Sequence, residues 1–280
     1  MNLYTVDTGY FKLDGGAMFG VVPKTMWNKL NPADENNMCS WAMRCLLIEE
    51  GDRLILIDNG IGNKQDDKFF GHYYLHGDAS LEKSLSALGF GFDDITDVFL
   101  THLHFDHCGG SIVRRNDGSG YDTAFKNASY WSNEAHWKWA TEPNAREKAS
   151  FLKENILPIK ESGQLKFTGD GESPFPGFKV HCVNGHTEGM MLPHITYKGK
   201  TIVFMADLLP SAAHMPVPYV MAYDTRPLLT LSEKAAFLKT AQENDYLLFF
   251  EHDPLIECCS LQLTEKGVRP KDYFRLSEIG

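Results

Sequence analysis

Thr101-His102-Leu103-His104-Phe105-Asp106-His107-Cys108-Gly109-Gly110 sets three imidazoles and one carboxylate within six consecutive residues, His102 to His107. Side chains of this kind crowd together when something other than water lies among them, and the simplest candidate is a metal ion. Upstream, Ile95-Thr96-Asp97-Val98-Phe99-Leu100 is short, β-branched and aromatic, the composition of a buried strand. Downstream, Gly109-Gly110 signals a sharp turn. The ligands are therefore expected on a loop at a strand's C-terminal end. His102 and His104, two residues apart, can face the same way off an extended backbone. Asp106 and His107 follow where the loop bends back, placed to serve a second ion beside the first. Cys108 is read as a small packing residue, since the ligand set next to it is already filled.

Three later segments carry the same donor types at the ends of apolar stretches: Gly185-His186-Thr187-Glu188-Gly189, Met205-Ala206-Asp207 and Phe250-Glu251-His252. Taken in order with His102-x-His104-x-Asp106-His107, they resemble the signature of the metallo-β-lactamase superfamily, and the resemblance runs along most of the chain. It implies a four-layered αβ/βα sandwich carrying a dinuclear metal site. The implied ligands are His102, His104 and His186 for one ion and Asp106, His107 and His252 for the other, with Asp207 shared. Asp106 and Asp207 are the implied catalytic carboxylates. Nitrogen and carboxylate donors suit two Zn²⁺ per chain and also accept Fe or Mn. The superfamily has an acid at Asp58 as well, where it would orient a ligand histidine; a plain turn-forming aspartate fits the same position.

At 280 residues and 43% hydrophobic content the chain can bury a large core. It is read as one domain spanning 1–280, with a helical insert near 132–156. Its 27 basic and 37 acidic residues give a net charge of −10 with the acids scattered, which disfavours a polyanionic partner such as nucleic acid. The six cysteines form no small-domain disulfide pattern, and no run of eighteen apolar residues or leader-like start is seen. A cytoplasmic protein acting on a small molecule follows as the expectation, with no membrane association and with a homodimer left open.

Reading the elements in order, residues 6–23 are expected as a first strand and a tight irregular loop in which Met18 and Phe19 either border a substrate mouth or pack inside. Trp41–Glu49 and Arg53–Asp58 pair as a hairpin through Glu50-Gly51-Asp52. Ser80–Gly89 has helical spacing. Ser132 is expected to cap a helix, and a second helix is expected over Ala145–Glu154. His136 is taken as structural. Phe178–Val183, Leu192–Tyr197 and Lys200–Ala206 are strands, and His181 alternates away from His186. The proline-rich 208–224 is an ordered loop. Pro227–Asn244 is an amphipathic helix with Thr230-x-x-Glu233 as a capping box, and Tyr246–Glu251 is the last core strand.

The implied reaction is hydrolysis by a bridging hydroxide at a dinuclear zinc site, acting on an ester or lactone. Within the superfamily the sequence is closest in character to the quorum-quenching lactonase and methyl-parathion-hydrolase-like branch. Acyl-homoserine lactonases have a tyrosine three residues after the bridging aspartate; here that position is Pro210, so Tyr219, Tyr223 or His214 would have to replace it. Phosphotriester or thioester hydrolysis of the glyoxalase II type is the nearest alternative, and a mononuclear iron persulfide dioxygenase is the alternative from another class. No Gly-x-Ser-x-Gly elbow, Walker loop or dinucleotide fingerprint competes for the chemistry.

Overall fold

Alternation in the first residues produces one long strand, β1 (Asn2–Asp14). The glycines after it do not form the irregular loop expected from sequence: Asp14 Oδ1 accepts from Ala17 N at 2.8 Å and starts a helical turn, α1 (Gly15–Phe19). Gly15 is required there because the Trp27 ring occupies the space of a Cβ. The computed structural model describes all of Met1–Gly280. By internal contacts the chain forms two compact units, one of Met1–Gly9 with Met43–Glu172 and one of Tyr10–Ala42 with Ser173–Gly280.

After α2 (Lys24–Trp27), β2 (Met38–Glu50) and β3 (Arg53–Ile57) make the predicted hairpin, with Glu50 opposite Arg53. Next come α3 (Asp67–Gly71), α4 (Leu81–Ala87) and β4 (Asp97–Phe99). Ser80 caps α4 by accepting from Lys83 N. The histidine-rich stretch contains a helical turn, α5 (Phe105–Cys108), and leads into β5 (Ile112–Arg114) and β6 (Tyr121–Thr123). Then follow β7 (Ser129–Ser132), α6 (Glu134–Thr141), α7 (Lys153–Glu161) and β8 (Leu165–Phe167).

Two helix starts differ from the sequence reading. Asn133, not Ser132, caps α6, its Oδ1 accepting from His136 N. Residues 145–152 are not helical. Asn144 Oδ1 accepts from Arg146 N and Glu147 N, an Asx turn that competes with the helix, and Glu147 accepts from the Trp139 indole and the Asn144 amide. The helix therefore begins only at Lys153.

The first sheet has the order β1-β2-β3-β4-β7-β8. Its β3, β4 and β7 run parallel, with Ile57 opposite Phe99 and Phe99 opposite Trp131. Parallel register brings the residues after β3 and after β4 to one edge, which is how Asp58 meets Thr101. The first unit's core includes Val6, Leu47, Leu56, Val98, Phe125 and Ile156.

The second sheet collects β9 (Phe178–Val183), β10 (Met190–Tyr197), β11 (Lys200–Phe204), β12 (Leu247–Phe249), β13 (Cys258–Thr264) and β14 (Gly267–Phe274) in the order β14-β13-β12-β11-β10-β9. The helix α8 (Pro227–Glu243) precedes β12 and starts with proline in its first turn. Thr230 and Glu233 lie inside that helix rather than forming its capping box. Glu233 instead accepts from Asn184 N and Gly185 N at 2.8 and 2.9 Å. β11 and β12 are parallel, Phe204 opposite Phe249. Asp207 and His252 each follow their strand by three residues, so register alone brings them to the same edge.

Candidate metal centre

In the first unit, His102 and His107 are fully buried and His104 and Asp106 nearly so. Buried imidazoles present defined nitrogens only when the opposite nitrogen is held. Asp58 does the holding here. Its carboxylate accepts from Thr101 N (2.8 Å), Thr101 Oγ1 (2.6 Å) and His107 Nδ1 (3.1 Å). With the Thr101 hydroxyl proton committed to Asp58, His102 Nδ1–H donates to Thr101 Oγ1 at 3.1 Å. One aspartate thus fixes His107 directly and His102 through Thr101, leaving Nε2 of both as the donor atom. His104 differs, with Nδ1 3.0 Å from His102 Nε2 and Nε2 3.4 Å from the Glu147 carboxylate. His107 Nε2 lies 3.7 Å from Asp106 Oδ2.

The backbone of this stretch is clamped from the same side. A Cβ on Gly109 would sit 2.1 Å from the Ile61 carbonyl oxygen and one on Gly110 2.3 Å from that of Asn59, so only glycine allows the approach. Lys64 Nζ donates to the Gly109 carbonyl. Asp58 itself adopts φ 55, the left-handed region that aspartate tolerates better than most residues.

In the second unit, His186 sits in a turn docked on the start of α8: Arg226 N donates to Gly185 O, and Thr225 N and Oγ1 donate to His186 O. Asp224 Oδ1 accepts from His186 Nδ1 at 3.0 Å. His252 Nδ1 donates to Ala42 O at 2.8 Å. Both Nε2 atoms converge on Asp207, with Oδ2 3.1 Å from His186 and Oδ1 3.1 Å from His252. Burial works to lower the pKa of His186, but the carboxylates of Asp207 and Asp224 outweigh it and push the imidazole up to about 10. A positive charge is favoured at that point.

The donor chemistry fits a divalent cation. Ligands about 2.0–2.1 Å from a tetrahedral zinc lie about 3.4 Å from one another, and the pairs His102–His104, His186–Asp207 and His252–Asp207 are spaced at 3.0–3.1 Å. All carry nitrogen or carboxylate oxygen. Cys108 is not among them, because burial pushes its thiol up to about 12 and its Sγ points to Leu103 O.

Over residues 44–252 the chain matches the model of the metallo-beta-lactamase superfamily. It belongs to that superfamily. Metallo-β-lactamase architecture and a metal-dependent hydrolase reaction class come with the assignment, and the two six-stranded sheets are those of its αβ/βα sandwich. A probable metal-dependent hydrolase from Staphylococcus aureus is similar at TM-score 0.89 and 28% identity, covering 100% of this chain and 98% of that one. AidC, a dizinc quorum-quenching lactonase solved with its N-hexanoyl-L-homoserine product, is similar at TM-score 0.78 and 23% identity, covering 98% and 95%. The N-acyl homoserine lactonase of Bacillus thuringiensis is 24% identical over 264 residues, 90% of this chain and 92% of its own. A shorter match, 35% over 65 residues, to transcription termination factor FttA of Methanocaldococcus jannaschii covers 23% of this chain and 8% of that protein.

Other sequence candidates fall outside the ligand set. His136 is buried and its Nε2 accepts from Leu103 N at 2.8 Å, a structural role as expected. His181 is exposed on β9. His214 does not replace the missing tyrosine: Nε2 donates to Met18 O at 2.9 Å, Nδ1 accepts from Ser211 Oγ at 2.8 Å, and the ring stacks on Phe19 at 4.5 Å. Met18 and Phe19 are themselves core residues. Tyr219 packs edge-on against Phe19, and Tyr223 is 39% exposed. Sequence reasoning missed Asp224, a lone acid in a proline-rich loop with no local pattern to mark it, and Glu147, which stood where a helix was expected.

Proposed function

We propose that this chain hydrolyses an ester or lactone with an apolar acyl part, using two zinc ions held by His102, His104 and His186 on one side and Asp106, His107 and His252 on the other, with Asp207 shared. The observation that carries the dinuclear reading is the pose of Asp207, which turns one oxygen to His186 and the other to His252 at 3.1 Å each. A carboxylate placed so is suited to give one oxygen to each of two ions. Bound zinc supplies an activated water at neutral pH and positive charge to stabilise a developing oxyanion.

The chain's own residues do the rest. Asp58 and Asp224 hold His107 and His186 in the tautomer whose Nε2 is a lone-pair donor. Asp106 takes the proton released as water attacks and passes it to the leaving oxygen. Beside the ligand stretch, Phe105 meets Phe69 and Tyr73 at centroid distances of 5.3 and 4.7 Å, an aromatic surface suited to an apolar acyl group. Burial first, and then the Asp106 charge, push the Tyr73 phenol up to about 12, so it stays a hydrogen-bond donor. The likeness to AidC and to the B. thuringiensis lactonase points the same way.

The test is metal analysis followed by a substrate panel of lactones, aryl esters, phosphotriesters and glutathione thioesters on zinc-loaded protein. About two zinc per chain and turnover of lactones or esters are expected. Turnover of phosphotriesters or thioesters alone would replace the substrate class. A single iron per chain with persulfide-dependent oxygen uptake would replace the reaction.

A further inference from the structure

Within the second unit lies a cavity of about 330 Å³ to which neither the ligand set nor the reaction assigns a role. Its walls are largely apolar, supplied by Ala212, Met215, Pro254 and Ile256. Asn31, Asp253, Arg269 and Tyr273 are polar exceptions. Asn31 is 6% exposed. Its backbone N–H donates to Trp27 O and its carbonyl accepts from Cys39 Sγ, but its side-chain amide has no protein partner. A largely buried amide that lines a cavity without a protein partner is a waiting recognition group, because its donors and acceptor are open to whatever occupies the cavity. Arg269 Nη1 donates only to the neighbouring Val268 carbonyl and makes no ion pair.

Arg269 is therefore the one cationic group on the cavity wall, and its guanidinium has no carboxylate partner. Asp253 also lines it, but its carboxylate is occupied by three backbone donors, Ala212 N, Leu255 N and Ile256 N at 2.8–3.0 Å. One guanidinium and one free amide on an apolar wall match a single carboxylate head on an aliphatic tail. A phosphate would call for more positive charge than one arginine provides. The volume stands at the small end of ligand sites, suited to a medium-chain acid rather than a long lipid.

We propose that this cavity binds a medium-chain aliphatic carboxylate, with Arg269 and Asn31 taking the carboxylate and Met215, Pro254 and Ile256 taking the chain. Asp253 joins the wall to the ligand set in sequence, since it follows His252 directly and its carboxylate ties down the 253–256 turn and Ala212 together. An acid bound there stiffens both segments. The site stands independently of the substrate of the hydrolytic reaction.

The experiment titrates sodium octanoate into the metal-loaded protein by calorimetry, with methyl NMR signals of Met215 and Ile256 as the site-specific readout. Saturable one-to-one binding that shifts both methyls is expected. Arg269→Gln weakens it about tenfold or more, and Asn31→Ala weakens it several-fold, with the circular dichroism of both variants unchanged. Arg269 is partly exposed, so its variant folds even where Asn31→Ala does not. Octanol binding as tightly as octanoate, or Arg269→Gln without effect, overturns the carboxylate assignment. Binding that vanishes when the metal is chelated would assign the acid to the metal centre and overturn the cavity. A dimer at micromolar concentration that Leu255→Glu dissociates would give the groove to a second copy and overturn the proposal likewise.

Discussion

Asp58 concentrates more of the site's order than any ligand does, because three donors end on its one carboxylate. Asp58→Asn keeps the volume but turns an N–H₂ group toward donors that need an acceptor. Zinc affinity is expected to fall about 10- to 100-fold, measured by chelator competition. An unchanged affinity would reduce Asp58 to a turn former. Asp207→Ala is expected to abolish both tight metal binding and activity while the far-ultraviolet circular dichroism stays native, since Asp207 lies after its strand rather than within it. Full activity in that variant would refute a shared ligand. The seven proposed ligands were legible in the sequence because donor type and order carry them. Asp224 was not, since the hydrogen bond that gives it a role spans 38 residues and depends on how an irregular loop closes.

At the scale of elements, strands are legible in the sequence, as are the starts of α4 at Ser80 and α8 at Pro227, but the starts of α6 and α7 are not. Strand register depends on alternation, which the sequence displays, whereas helix starts depend on which of several polar side chains wins the first free amides. Asn133 won over Ser132, and Asn144 withdrew residues 145–152 from a helix. Thr230 and Glu233 matched a capping box yet lie within α8, where Glu233 supports the His186 turn instead. The hairpin of β13 and β14 had too polar and exposed a pattern to stand out. Two predictions belong here. Gly109→Ala forces a Cβ against the backbone of Ile61 and is expected to cost about 1–3 kcal/mol in urea unfolding. Gly71→Ala, in open space at the end of α3, is expected to be neutral or slightly stabilising.

A further prediction concerns acid. Burial holds His214 down at about 3 from an ordinary 6.5, against the hydrogen bond to Met18 O that works upward. Between those values the unfolded chain binds one more proton than the folded one, so stability falls as pH drops from 6.5 toward 3. The slope is up to about 1.4 kcal/mol per pH unit. His214→Gln keeps an amide N–H for the Met18 carbonyl and removes the titration. The difference in urea-unfolding slope between the two proteins over pH 6.5 to 5 isolates this residue from other carboxylates and histidines. Equal slopes would show that His214 charges freely.

Across the whole molecule, the net charge of −10 and the division into two compact units, each carrying part of the proposed ligand set, make one expectation sharper than any single substitution. The buried carboxylates Asp58, Asp106, Asp207 and Asp224 accumulate negative charge that a bound cation would offset. No helix is long and apolar enough to cross a membrane. Adding a chelator should lower the melting temperature, since a ligand that binds only the folded state stabilises it by RT ln(1 + [L]/Kd), about 4 kcal/mol at a thousandfold excess over Kd. Hydrogen exchange then locates the loss. If ions are shared as proposed, amides of 101–110 in the first unit and of 184–189 and 250–254 in the second should all exchange faster on chelation, and zinc should restore all three together. Faster exchange confined to 101–110 would mean that the first unit holds its metal alone, and the assignment of His186, Asp207 and His252 would fall.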